Sequence, residues 1–232
     1  MAQHKKHQPE NEPIDAAEVV DKAKRFWDKN GKAILIALGV IALLVGGYFV
    51  YKNMLRDPKI TESIDKSFKA EQYFKLDSFQ LALNGDGVNP GFIKIADSYR
   101  GTPMGNLANF YAGVSYIKLN MNEKAVKHLE DFKSSSKPVQ QRAYKLLGDA
   151  YGDLGKNDKA LDNYKKAARH FEEDQMASAD ALFNAAYLAQ NVLNKKDEAI
   201  SLYKELKNKF PRTQQGFEAD KYLAQLGVYK VN

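Results

Sequence analysis

The sequence predicts an all-α protein in two parts: one transmembrane helix, then a solenoid of antiparallel helix pairs. Three observations predict it. The 19 residues between Lys32 and Lys52 carry no charge. Farther along, a set of small and bulky residues returns at an interval of 35 residues. Short polar turns separate the helical periods there. The 232 residues are 44% apolar and 28% charged, enough to bury a core and too apolar for wholesale disorder. With no cysteine, disulfide scaffolds, thiol catalysis and Cys zinc sites are excluded.

The N-terminal region, 1–32, reads as a polar tail followed by a short amphipathic helix. Residues 1–13 hold His4, Lys5, Lys6, His7, Pro9 and Pro13. Two tail histidines without further ligands make no metal site. Ile14, Ala17, Val20, Ala23, Phe26 and Trp27 then recur at helical spacing, with Gly31 as the expected stop. This segment can be a docking helix or an interfacial helix lying at the headgroups.

The span is 33–51. As a helix it covers about 28 Å, close to the ~30 Å core of a bilayer. Phe26 and Trp27 on one side, and Tyr48 and Tyr51 on the other, suit the two interfaces. A cleaved signal peptide fits poorly, because 32 residues precede the run, six of them acidic, and no small-x-small site follows. A core helix would show a polar face. Orientation rests on Lys22, Lys24, Arg25, Lys29 and Lys32 against Lys52, Arg56, Lys59 and Lys66. That bias favours a cytoplasmic N-terminus with the larger domain across the membrane. Pro58 marks 52–60 as a linker.

The repeats fill 61–232. Gly113, Tyr116, Ala125, Leu129 and Phe132 form one set; Gly148, Tyr151, Ala160, Tyr164 and Ala167 form a second; Ala186, Ala189, Ala199, Tyr203 and Leu206 form a third with one extra turn residue. Gly or Ala is required where two helices cross closely, and a bulky residue one turn later fills the groove. Such a unit cannot bury its apolar face alone, so neighbours stack. The expected turns are 119–122, 155–158 and 194–197. These positions resemble the tetratricopeptide repeat, with 144–167 the closest copy. Repeats are expected at 106–138, 141–172 and 179–211, and a degenerate one at 61–103. The latter has one helix on Phe68, Tyr73, Leu76, Phe79 and Leu83 and another on Phe92, Ile95, Ala96 and Tyr99. Thr213 is the expected N-cap of a closing helix, 213–227, ended by Gly227.

No phosphate-binding glycine loop, zinc-protease motif or nucleophile elbow is present. His128 and His170 stand apart among lysines, Glu172-Glu173-Asp174 reads as a solvated acidic run, and Asp86 lacks the further acids of a calcium loop. No catalytic, cofactor-binding or metal-binding residue is assigned, and no enzyme is expected; an enzyme with an unrecognised site is the remote alternative. The net charge of +6 invites nucleic acid, but +5 of it is spread over 181 residues with acids interleaved. Nucleic acid is therefore not the expected partner.

The repeat register places Leu107, Phe110, Val114 and Ile117 of the first unit on the concave side. Arg142, Lys145 and Asp149 follow from the second unit, and Asp180, Phe183, Tyr187 and Gln190 from the third. They read either as an apolar groove with a polar middle, suited to a peptide or partner helix, or as residues packed inside the array against helix 68–83. Tetratricopeptide members that clamp a chain-terminal carboxylate begin with Lys and Asn where this chain has Phe110 and Val114, so that mode is not expected.

A short basic tail, one anchor preceded by Trp27-x-x-Asn30-Gly31-Lys32, and a C-terminal repeat array together resemble the YfgM-type ancillary subunits of the bacterial Sec translocon. The resemblance implies an inner-membrane protein with its N-terminus cytoplasmic and its repeats in the periplasm. It implies partnership with the translocon, a membrane-anchored prolyl-isomerase-like chaperone and newly exported chains, and no catalytic residues. A scaffold for assembly of an envelope or secretion complex is the alternative.

Overall fold

A computed structural model describes residues 16–229. The histidine-bearing tail and residues 14 and 15 lie outside them. Among the described residues every regular element is helical, and the chain divides at Asp57/Pro58 into two compact units.

The first unit holds α1 (Ala16–Tyr51), followed by a π-helical turn, Lys52–Arg56. The predicted span lies inside α1, the one described helix long and apolar enough to cross a membrane. None of its apolar window is buried within the protein. Leu43 and Leu44 are 78% and 68% exposed, as on a candidate membrane span. Gly31 does not stop the preceding helix but lies within α1. The Trp27 indole lies across it, 3.3 Å from where a Cβ would be, so the bare backbone gives the ring a seat. The 52–60 segment is likewise helical rather than extended. Pro58 has no N–H to donate and its ring crowds the carbonyl four residues back. The wider π turn just before it, closed by Asp57 N–H on the Lys52 carbonyl, accommodates that defect.

The second unit begins as α2 (Asp57–Lys75) leaves its first residue behind. The helix expected to run through 68–83 is two helices. It breaks after Lys75, Asp77 turns left-handed at φ 54°, and α3 (Phe79–Asn84) restarts. Asp77 and Ser78 are turn residues whose signal the apolar spacing hid. Phe68 and Leu76 are consequently exposed, and Phe74 takes the inward position. Helix α4 (Phe92–Ser98) buries Phe92, Ile95 and Ala96 as expected.

Three helix pairs follow: α5 (Pro103–Lys118) with α6 (Asn122–Asp131), α7 (Lys137–Asp153) with α8 (Asn157–His170), and α9 (Gln175–Asn191) with α10 (Lys196–Lys209). The turns between partners each use one left-handed residue: Asn120, Gly155 and Asn194. The crossing rule holds in atomic terms. A Cβ on Gly113 would fall 2.5 Å from Leu129 Cγ, and one on Gly148 2.5 Å from the Tyr164 ring. Helix α11 (Gln214–Gln225) closes the array, with the Thr213 hydroxyl accepting from Gly216 N–H and Gly227 left-handed beyond it. Thr102 repeats that device at α5, accepting from Gly105 N–H. In both, the glycine lies so close to a preceding carbonyl, Tyr99 or Phe210, that a side chain would not fit.

The second helices of successive pairs are joined by ions. Lys165–Glu198, Arg169–Glu205 and Lys209–Glu172 link α8 and its exit to α10 at 2.6–2.8 Å. The acidic run 172–174 is thus engaged rather than simply solvated, since Asp174 caps α9 through Ala177 N–H.

Candidate interaction surface

The eleven singled-out positions fall on α5, α7 and α9, and the structure separates them by burial. Phe110 and Val114 are 9% and 7% exposed, inside the core cluster that joins α5–α6 to α7–α8. Phe74 of α2 packs against this cluster together with Leu107 and Ile117. Its ring lies 4.9 Å from that of Tyr111, and Tyr111 in turn stacks on Phe92. The α5 part of the surface is therefore filled from the N-terminal side of the array.

The α7 part is open. Arg142 is exposed, and Lys145 and Asp149 are partly so. Lys145 Nζ donates to Asp149 at 3.0 Å and reaches Asp180 of α9 at 3.9 Å. Asp149 also accepts from Tyr164 Oη at 2.9 Å. Burial, then the Asp149 charge, pushes the Tyr164 phenol up, so it remains a donor. A cleft of about 460 Å³ opens here, with Phe110, Pro138, Val139 and Ala177 as apolar walls and Arg142, Lys145 and Asp180 at its edge. Gln141, 2% exposed, supports it from behind: its Nε2 donates to Ser178 Oγ at 2.8 Å and to the Ala167 carbonyl, tying α7 to α8 and α9.

The α9 part is aromatic. Phe183 meets Tyr222 of α11 edge-on at 5.1 Å, and Tyr222 stacks on buried Tyr203. Tyr187 lies beside Phe183 and is 49% exposed. Gln190 keeps its side-chain oxygen buried, without a hydrogen-bond partner among the described residues. The structure thus brings Phe110, Arg142, Lys145 and Asp180 to one cleft and Phe183 and Tyr187 to an aromatic group with α11. Leu107, Val114 and Ile117 serve packing. Sequence reading missed Phe74, Pro138 and Val139. The Pro138-Val139 pair lies in the first turn of α7, at the junction between the repeats expected at 106–138 and 141–172.

The chemistry-bearing residues elsewhere make packing and hydrogen-bond contacts within the array. His128, set among lysines in the sequence, is partly buried: Nδ1 is 2.8 Å from Asn109 Oδ1, and the ring stacks on Tyr116. Burial, then Lys127, pushes its pKa down. His170 meets the Tyr144 ring edge-on. Asp86 accepts from Val88 and Asn89 N–H, Asn89 Nδ2 and Tyr73 Oη. Those bonds, Asn89's first, hold its carboxyl well below the usual range and knit the long 85–91 turn. No cluster of three or more metal-ligating side chains occurs among the described residues.

Residues 107–135 and 180–213 match the tetratricopeptide repeat family. These segments cover the α5–α6 and α9–α10 pairs, and α7–α8 between them folds the same way. No curated protein matches the chain. The fold is a tetratricopeptide-type solenoid, and the array is a protein–protein interaction module accompanied by one candidate membrane span.

Proposed function

We propose that this chain is a single-pass inner-membrane protein, N-terminus cytoplasmic, whose periplasmic repeat array holds segments of partner proteins during export. It acts as an ancillary subunit of the translocon, or beside a membrane-anchored prolyl-isomerase-like chaperone, and assists newly exported chains without cofactor, catalysis or nucleic acid. The observation that carries this reading is the open stripe on α7 and α9. Charged Arg142 stands at an apolar-walled cleft, and half-exposed Tyr187 lies two turns farther along the helix that supplies the cleft's Asp180, on an array whose chain also carries an exposed apolar helix. The layout resembling YfgM-type proteins supplies the translocon and the compartment.

Photocrosslinking from positions 142 and 187 in native membranes tests it. Capture of translocon, chaperone or exporting chains is expected; capture of none of them contradicts it. Reporter fusions at each terminus test the topology, and a cytosolic C-terminus overturns the placement. The filling of the α5 stripe favours one alternative, because a shortened groove also suits a single folded partner. That scaffold reading predicts stoichiometric recovery with one fixed envelope complex and no nascent-chain crosslinks.

A further inference from the structure

We propose that the α7–α9 cleft selects partner segments in which an acidic side chain lies close to a bulky apolar one, the carboxylate pairing with Arg142. This deepens the proposed function and rests on it. The charges lining the cleft are not equivalent. Lys145 is neutralised by Asp149 at 3.0 Å and faces Asp180 at 3.9 Å. Asp174 is committed to the α9 N-cap through Ala177 N–H. Gln141 spends its amide on Ser178 and on backbone carbonyls. Among the described residues, Arg142 makes no ion pair or hydrogen bond, and it stands exposed at the cleft edge. A guanidinium offers a planar fork that matches a carboxylate in two parallel bonds. Behind it, Phe110, Pro138 and Val139 present apolar wall that contributes by excluding water from a bulky side chain.

The occupant is an internal acidic residue rather than a chain end. Holding a terminal carboxylate requires several converging donors, whereas this cleft has one unpaired cation and two aspartates opposite. A side-chain carboxylate needs only the fork, and the rest of its chain continues past Asp180 towards Tyr187.

The test uses the full chain in mild detergent and short fluorescein-labelled peptides, C-terminally amidated, with a Leu-Glu core. Matched peptides replace Glu by Gln or Lys, and a further Gln peptide carries a free C-terminus. Fluorescence anisotropy is expected to show the Glu peptide binding about fivefold to tenfold more tightly than the Gln peptide, the scale of one charge-assisted contact. The difference should vanish in Arg142→Ala and reverse in favour of Lys in Arg142→Glu, with unchanged melting curves. Equal binding of the Glu and Gln peptides, or a preference that survives Arg142→Ala, overturns the proposal and leaves the groove reading standing. Tighter binding of the free-C-terminus peptide overturns the choice of an internal acid. No binding of any peptide overturns the groove reading as well.

Discussion

Helices α5 and α7 carry the same repeat register and use it in opposite ways. Phe110 and Val114 of α5 are core residues, while Lys145 and Asp149, 35 positions later, stand half-open at a cleft. The helix pairs are alike, so the register does not set the difference. What packs against each helix from outside its own pair does. α5 receives Phe74 from α2 on Tyr111, against the cluster that holds Phe110, whereas α7 faces Asp180 and Ala177 of α9 across open space. Repeat position fixes which way a residue points, and the neighbouring unit decides whether that direction meets protein or a partner.

The widest separation between the two regions should appear in stability. Phe110→Ala removes a ring that lies 5.1 Å from Phe132 in the joint between two pairs, and should cost about 3–5 kcal/mol in denaturant unfolding of the full chain. A cost below about 1 kcal/mol would mean that α5 is not core there. Within α7, two glycines sharpen the contrast. Gly148→Ala drives a methyl into the Tyr164 ring, which is pinned at its far end by Asp149, and should cost about 1–3 kcal/mol. Gly152→Ala meets nothing nearer than 3.9 Å and should be neutral or stabilise by up to about 1 kcal/mol. Melting curves of the pair separate close crossing from a general intolerance of α7.

A smaller effect is expected at the closing cap. Thr213→Ala leaves the Gly216 N–H without its acceptor and should cost about 1 kcal/mol, read as a lower melting temperature. His128 adds a pH dependence on the α5 side. Its folded pKa is depressed, so below the unfolded value of about 6.5 the unfolded chain binds more protons. Stability should therefore be complete above that pH and fall as pH drops through it. His128→Gln should remove that part of the decline between neutral and mildly acidic melts. At the bottom of the scale, Arg142→Ala should change stability by less than about 0.5 kcal/mol, since Arg142 has no partner to lose.

Much of this was legible in the sequence. The uncharged run, the 35-residue return of small and bulky residues, the Asn120, Gly155 and Asn194 turns and the Thr213 cap are local signals, and each forms where its residues stand. The departures have local causes too. Gly31 stays helical with the Trp27 indole seated against it, and Pro58 follows a π turn instead of breaking the helix. The inward side of α2 takes Phe74 as well as the expected Tyr73, and the turn at Asp77 ends the helix before Leu76, Phe79 and Leu83 can share its face. The candidate surface was half legible for a different reason. Arg142 and Tyr187 follow from repeat register, but Phe110 and Val114 belong to a core cluster that also takes in Phe74, a ring more than thirty residues upstream. No local pattern encodes that contact.

The chain has no cysteine, so single cysteines report directly on the comparison between α5 and α7. Val114→Cys and Arg142→Cys, each in the full chain in sealed membrane vesicles of native orientation, can be labelled with a maleimide reagent that reaches the repeat domain. The expected result is rapid labelling at 142 and labelling at 114 only after denaturation. Labelling of both positions at the same rate in the folded protein would contradict the account, because the α5 stripe would then be as open as the α7 cleft.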